Sequence, residues 1–293
     1  MNKAILLMSI VFSCVVSGME IQHELGIAKF DQPPTRVIAL NWGVTETMLA
    51  LGVNPIGIAD IEGYKTWVNY PKLPEKLVDV GTRREPNLEA IRALEPDLIL
   101  ISKEMAQAFE QLNNIAPTVA VSVFTNNKQP LIAAKEMTRI IGAILGKNAA
   151  AETLITQTDN NIADHAKSIS TGMEPLLFIR FLSERTVRVH GQGSLLDDTI
   201  RQMGLTNIWD AKTNMWGFTK VGVSKLARYQ NARVMVIGPL SESEQLQLKS
   251  AKLWQLMAFS KEDRVHILPA IWTYGGLIAA QRFSQQIALS LAE

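Results

Sequence analysis

Apolar runs of strand length alternate with helical repeats along the chain, and residues 79–102 show this pattern most clearly. Apolar side chains recur at helical spacing over 88–94, Pro96 ends that helix, and 98–101 is an apolar run of strand length. Asn87 is a suitable N-cap for the helix. The pattern therefore predicts a loop, a short helix and a buried strand in this segment.

The same pattern predicts a strand over 36–40, a helix over 44–51 and, where no periodicity is found, a loop over 64–74. It then becomes strongly helical, with one helix over 131–145 and a second over 148–169. The second helix contains no glycine or proline and would be about 30 Å long. We interpret it as a rigid connection between two α/β regions.

Strands and helices alternate again after Gly172, and the two halves resemble each other. Residues 91–101 and 226–237 share the order of a short helix followed by an apolar strand. We therefore predict an α/β fold with two α/β lobes joined by a single long rigid helix, and a ligand cleft between the lobes. The predicted parts are a signal peptide over 1–18, an N-terminal lobe over 19–147, the connecting helix over 148–169 and a C-terminal lobe over 170–293.

The N-terminal segment has the features of a secretory signal peptide. Lys3 precedes an almost wholly apolar stretch over 4–16, and the small residues Ser17 and Gly18 offer a cleavage site. An uncleaved membrane anchor and lipidation at Cys14 are the alternatives. Since Cys14 is the only cysteine, the mature protein would be exported without a disulfide.

Composition argues against several classes of protein. The chain has 29 basic and 28 acidic residues and no run of like charges, so a nucleic-acid partner is not expected. None of its four histidines is spaced as a metal-ligand pair, so no bound metal is predicted. The motifs of a nucleophile elbow, a P-loop and a dinucleotide fingerprint are missing from the sequence. We therefore predict a protein that is not an enzyme and that carries no cofactor.

Arginine and aromatic residues supply the candidate chemistry. Arg83 and Arg84 lie in a loop before a helix N-terminus, where open α/β sheets bind ligands, and two cations there indicate an anionic or oxygen-rich partner. Each aromatic residue taken alone is better explained by core packing. Together the aromatic residues of the loops and junctions favour a cleft for a bulky ligand with an apolar surface. These residues are Trp42, Trp67, Trp216, Trp272 and Tyr274.

From about His23 to its C-terminus, the chain resembles the periplasmic siderophore-binding proteins of the long-helix class. Within that class it is most similar to the ferric hydroxamate-binding proteins of bacterial ABC importers. The stretches that carry the resemblance are His-Glu-Leu-Gly at 23–26, Arg-Val-Ile-Ala-Leu-Asn-Trp at 36–42, Tyr-Lys-Thr-Trp at 64–67, Asp-Val-Gly-Thr-Arg-Arg-Glu-Pro-Asn at 79–87, Thr-Asn-Met-Trp-Gly at 213–217 and Pro-Ala-Ile-Trp-Thr-Tyr-Gly at 269–275.

The resemblance implies roles for particular residues. Arg83 would donate hydrogen bonds to the hydroxamate oxygens around iron, Asn214 would be a polar contact, and the aromatic residues above would form the walls. Met105 stands where the family has a tyrosine that reaches the chelating oxygens. Glu110 would dock on the permease, whereas the second docking position falls near Ser224, which is not acidic.

The implied function is the capture of an Fe(III)–hydroxamate siderophore in the periplasm by a monomer that delivers it to an inner-membrane ABC permease. Arg84 hints at a more anionic ligand, such as a hydroxamate that contains citrate. The alternatives are another cargo on the same scaffold (a catecholate, haem or cobalamin), an exported enzyme that processes siderophores and, more distantly, a receptor for zinc.

Overall fold

The structure is a computed structural model that describes residues 18–170 and 172–292. The predicted signal peptide, apart from Gly18, and the candidate lipidation site Cys14 lie outside the described residues. None of the helices in the described part of the chain is long and apolar enough to cross a membrane.

The N-terminal lobe contains an antiparallel hairpin and a five-stranded parallel sheet. The hairpin is formed by β1 (Met19–His23) and β2 (Gly26–Phe30). The sheet has the order β5-β4-β3-β6-β7 and consists of β3 (Val37–Ala39), β4 (Gly57–Ile58), β5 (Val78–Asp79), β6 (Leu98–Ile101) and β7 (Thr118–Ala120). Its helices are α1 (Trp42–Ala50), α2 (Ile61–Trp67), α3 (Leu88–Ala93) and α4 (Phe109–Asn113), with a 3-10 helix over Lys103–Ala108.

Two long helices follow, α5 (Pro130–Ile144) and α6 (Asn148–Lys167). The C-terminal sheet has the order β10-β9-β8-β11-β12 and consists of β8 (Leu176–Ser183), β9 (Thr186–His190), β10 (Phe218–Gly222), β11 (Arg233–Ile237) and β12 (Val265–Leu268). Its helices are α7 (Leu195–Gln202), α8 (Glu242–Ser250), α9 (Lys252–Gln255), α10 (Ala258–Lys261) and α11 (Leu277–Ala292), with a 3-10 helix over Val223–Arg228.

The two sheets have equivalent strand orders about their central strands, β3 and β8. They differ because β9 is antiparallel to both β8 and β10, whereas every pair in the first sheet is parallel. The resemblance between 91–101 and 226–237 corresponds to α3–β6 and to the 3-10 helix followed by β11. The predicted two-lobed α/β fold is thus confirmed.

The predicted loop over 64–74 is wrong at its beginning, because α2 includes Tyr64 and Trp67. Asp60 caps this helix by accepting a hydrogen bond from the Gly63 amide at 2.9 Å. The buried Tyr64 donates from its hydroxyl to the Pro71 carbonyl at 3.0 Å. A seven-residue helix is too short to show periodicity, so the capping residue was the only local signal.

Both lobes contribute to one hydrophobic core around α5, α6 and α11. It contains Met48 of α1, Ile200 of α7 and Phe283 of α11, all fully buried. Glu46 of α1 accepts a hydrogen bond from the amide of Gly276, just before α11. The connecting helix α6 packs against both α5 and α11. The lobes are therefore held by a shared core as well as by α6, and the sequence-based lobe boundaries stay a prediction.

Candidate functional site

The floor of the site is a tryptophan at the carboxyl end of the first sheet. Trp42 is the first residue of α1, directly after its N-cap Asn41, whose side chain accepts from the Gly43 amide at 2.8 Å. The Trp42 indole donates from Nε1 to the Ala59 carbonyl at 2.9 Å and is 2% exposed. A Cβ at Gly63 would overlap the Trp42 ring, so glycine is required where α2 passes it. Trp42 is thus both a core residue and the base of the candidate site.

Arg83 lies on this tryptophan. Its guanidinium carbon is 3.7 Å from the Trp42 ring centroid and 4.9 Å from that of Trp272, which comes from the other lobe. Its Nε is buried without a hydrogen-bond partner. Burial lowers the pKa of Arg83, and Arg84 lowers it further, against the raising effect of Asp60. Because arginine titrates far above neutrality, this group is a desolvated cation with donors to offer.

Aromatic rings from both lobes surround this cation. Trp272 and Tyr274 follow β12, and their ring centroids are 5.1 Å apart. Trp272 also meets Trp42 edge-on, at 4.7 Å and 67° between the planes. Tyr274 lies 5.6 Å from Phe124. The predicted aromatic residues therefore converge between the lobes.

Trp216 reaches across the same gap from the loop before β10. Its Nε1 donates to Glu104 Oε1 of the N-terminal lobe at 2.8 Å, and its ring stacks on Phe218 at 6.2 Å. The side-chain oxygen of Asn214 accepts from the amides of Trp216 and Phe218, at 3.0 and 3.1 Å. The Asn214 oxygen therefore shapes this loop.

Two arginines that the sequence analysis missed complete the site. The Arg180 guanidinium carbon lies 3.9 Å from the ring centroid of the predicted Trp67, across the lobes. Arg188 donates from Nη1 to the Tyr274 hydroxyl at 2.6 Å. The signal in the sequence is that both arginines lie about four residues from the turn that joins β8 to β9, and a hairpin pairs residues at equal distances from its turn.

The remaining predicted residues are placed differently. Met105 is 8% exposed and packs in the N-terminal core cluster with Ile101 and Leu112, and its role as a ligand contact stays a prediction. Arg84 is exposed beside Arg83. Glu110 is exposed in the first turn of α4, as a docking residue must be.

Chemically, the arrangement offers cationic donors, a tyrosine hydroxyl and flat aromatic faces, which suit an oxygen-rich ligand with an apolar surface. Two surface cavities, of about 360 and 400 Å³, lie next to the β1–β2 hairpin. Their described lining residues include neither tryptophan nor arginine. We therefore place the candidate site at the arginine and aromatic cluster between the lobes.

Residues 37–271 match the model of the periplasmic binding protein family, Peripla_BP_2. Since the match covers more than half of the sequence, the chain belongs to the periplasmic binding protein family.

Individual relatives are similar over nearly the whole length. The iron(3+)-hydroxamate-binding protein FhuD of Escherichia coli (strain K12) is 33% identical over 279 residues, which are 95% of this chain and 92% of that protein. The Fe(3+) dicitrate-binding periplasmic protein FecB of the same organism is 26% identical over 270 residues, 90% of this chain and 87% of that one. By their names, both relatives are binding proteins.

A solved structure shows the same fold. The siderophore-binding protein FhuD from Vibrio cholerae, bound to Fe3+–Desferal, superposes with a TM-score of 0.81. It is 28% identical, and the match covers 88% of this chain and 98% of that one. The sequence-based assignment to the siderophore-binding proteins of ABC importers is therefore confirmed at the level of the family.

Proposed function

We propose that this protein captures an Fe(III)–hydroxamate siderophore in the cleft between its lobes and delivers it to an inner-membrane ABC permease. The single observation that carries the proposal is the position of Arg83. Its guanidinium lies against tryptophans of two different lobes, and its buried Nε has no partner. The similarity to the two FhuD proteins, whose names state hydroxamate or siderophore binding, supports the proposal.

The proposed chemistry is recognition of the chelate, not of the bare ion. Hydroxamate oxygens already fill the coordination shell of iron, so the protein recognises their outer surface. Arg83 donates charge-assisted hydrogen bonds to these oxygens, while Trp67, Trp216 and Trp272 cover the apolar part of the siderophore. Tyr274 adds a hydroxyl that is already held by Arg188.

The shared core bears on how the protein works. Because side chains of both lobes pack around α5, α6 and α11, the lobes would change their relative position little on binding. Affinity would then come from a largely preformed cleft. We place the protein in the periplasm, with residues 1–18 as its signal peptide, and expect a monomer that binds its cargo without changing it.

The proposal is tested by titrating the purified protein with ferrichrome and with Fe(III)–Desferal while tryptophan fluorescence is recorded. We expect these ferric hydroxamates to quench the tryptophan fluorescence of the unmodified protein. Arg83→Gln should bind them with an affinity 10- to 100-fold lower, about 1.5–3 kcal/mol, because a charged hydrogen bond is lost. Arg92→Gln is the matched control, since Arg92 is an exposed arginine on the neighbouring helix α3. Equal affinities for the Arg83 and Arg92 variants would contradict the role of Arg83.

Fluorescence quenching and an incubation experiment separate the alternative functions. Quenching by haem, cobalamin or a ferric catecholate, without quenching by either hydroxamate complex, would replace the proposed cargo on the same scaffold. Siderophore recovered intact after prolonged incubation with the protein is the result expected of a carrier. Cleaved siderophore would instead indicate an enzyme.

A further inference from the structure

The C-terminal wall of the cleft contains two arginines that face each other. Arg180 of β8 and Arg188 of β9 are direct partners in the antiparallel register. Both are only partly exposed. Like charges placed directly opposite one another destabilise a sheet, so this pair has an energetic cost in the free protein.

Within the part of the chain that the structure describes, neither arginine has a compensating carboxylate. No ion pair formed by the described residues includes Arg180 or Arg188. Arg180 lies against the Trp67 ring, and Arg188 lies 4.2 Å from the Phe218 ring centroid and bonds the neutral Tyr274 hydroxyl. The Nε of Arg188 is buried without a partner. Partly buried cations are usually neutralised by an anion, which these contacts do not provide.

The titratable groups behind and opposite the pair do not neutralise it either. His190 lies two residues after Arg188 on the same face of β9 and is fully buried, and burial together with the two arginines lowers its pKa to about 3. It is therefore uncharged at neutral pH. Glu104 is an acidic residue whose charge affects the pKa of both Tyr274 and Arg83. Among the described residues it forms no ion pair with Arg180 or Arg188, and its Oε1 accepts the hydrogen bond from Trp216.

Arg83 lies on the other side of the same aromatic cluster. It contacts Trp272, whose ring is next to Tyr274, the partner of Arg188. The cleft thus gathers three arginines from two lobes, although the chain as a whole carries a net charge of only +1. The local excess of positive charge indicates that the occupant of the cleft is an anion.

We propose that Arg180 and Arg188 form an anion subsite that binds a carboxylate group of the siderophore. The preferred cargo is then a negatively charged ferric complex with both hydroxamate and carboxylate groups, and not a neutral trihydroxamate. This inference rests on the proposed function and moves the selectivity for charge from Arg84, where the sequence suggested it, to the opposite lobe. The planar guanidinium forks of the pair suit the two oxygens of a carboxylate.

The test compares ferric aerobactin, in which a citrate core carries two hydroxamate arms, with neutral ferrichrome. The protein variants are Arg180→Gln and the control Arg185→Gln, which removes an exposed arginine from the turn of the same hairpin. We expect the unmodified protein to bind ferric aerobactin at least 10-fold more tightly than ferrichrome. Arg180→Gln should weaken ferric aerobactin by about 10- to 100-fold, and by at least about 10-fold more than it weakens ferrichrome. Arg185→Gln should change neither.

A stability measurement shows whether the pair has a structural role instead. Removing one of two facing cations should leave the melting temperature of the ligand-free Arg180→Gln protein unchanged or raised. Arg188→Lys provides a second variant, since it keeps the charge but loses the planar fork, and it should also weaken ferric aerobactin selectively. A lower melting temperature with equal loss of both ligands would overturn the proposal.

The remaining outcomes are distinct. Tighter binding of ferrichrome than of ferric aerobactin would refute the anion subsite and leave the proposed function intact. Failure of both complexes to bind would refute the proposed function itself. Iron-free citrate that binds as tightly as ferric aerobactin would show that the subsite serves a free carboxylate, and this too would overturn the siderophore proposal.

Discussion

At the scale of single residues, the tryptophans of the cleft differ in what they do for the fold. Trp42 is 2% exposed, bonds a backbone carbonyl and carries Arg83 on its face. Trp216 is only partly buried and is held by Glu104 and Phe218. Both follow the same sequence signal, a tryptophan in a junction or loop. The sequence therefore predicted their proximity but could not distinguish a buried floor from a partly exposed wall.

Because of this difference, replacement by alanine should mainly reduce stability at Trp42 and mainly reduce siderophore binding at Trp216. Trp42→Ala should lower the free energy of unfolding by about 3–5 kcal/mol, because a large buried ring and its hydrogen bond are lost. Trp216→Ala should lower it by less than about 1 kcal/mol but weaken siderophore binding. Urea denaturation measures the first effect and fluorescence titration the second. Equal destabilisation by both variants would show that Trp216 belongs to the core.

At the scale of the elements, periodicity predicted the long helices and the buried strands well. The predicted helices over 131–145 and 148–169 are α5 and α6, and Asn87 caps α3 by accepting from the Ala90 amide at 3.0 Å. The helix α2 was missed because it has only seven residues. The pairing of Arg180 with Arg188 was missed because it depends on the antiparallel direction of β9, which an apolar run does not specify.

The contact between α1 and α11 predicts a dependence of stability on pH. Burial raises the pKa of Glu46 to about 8, against the lowering effects of the Gly276 amide and Arg282. Between the unfolded value of 4.5 and about 8, the folded protein keeps a proton that the unfolded chain releases. The free energy of unfolding should therefore fall as pH rises through this window, by up to about 1.4 kcal/mol per pH unit.

Glu46→Gln tests this prediction because glutamine has no proton to lose. Its stability curve, measured by urea denaturation between pH 6.5 and 8, should be flatter than that of the unmodified protein. This range avoids His190, whose pKa is lowered from 6.5 to about 3 and which therefore destabilises the protein only as pH falls below 6.5. Parallel curves for the two proteins would show that Glu46 is ionised throughout.

At the scale of the whole molecule, the sequence predicted two lobes and a connecting helix but not their common core. Periodicity identifies which face of a helix is apolar, not which neighbour covers it. In the structure α5, α6 and α11 are covered by residues of both lobes, and Glu46 joins α1 to the start of α11. The cleft is therefore bounded by two lobes that share one hydrophobic core.

The surface that a permease would meet is implied by the resemblance to the binding proteins of ABC importers. Glu110 is exposed on the N-terminal lobe, and the second docking position that the resemblance implies falls near Ser224, which is exposed and not acidic. Docking would then depend on a single acidic residue.

We therefore expect Glu110→Ala to abolish siderophore-dependent growth of cells that rely on this protein while leaving the affinity of the purified protein unchanged. The substitution removes an exposed charge that is not part of the arginine and aromatic cluster, so binding and delivery should separate. Glu75→Ala is the matched control, because Glu75 is another exposed acidic residue of the same lobe. Normal growth with the Glu110 variant would mean that the permease recognises a different surface. A loss of growth accompanied by weaker siderophore binding would mean that Glu110 acts on the cleft and not on docking.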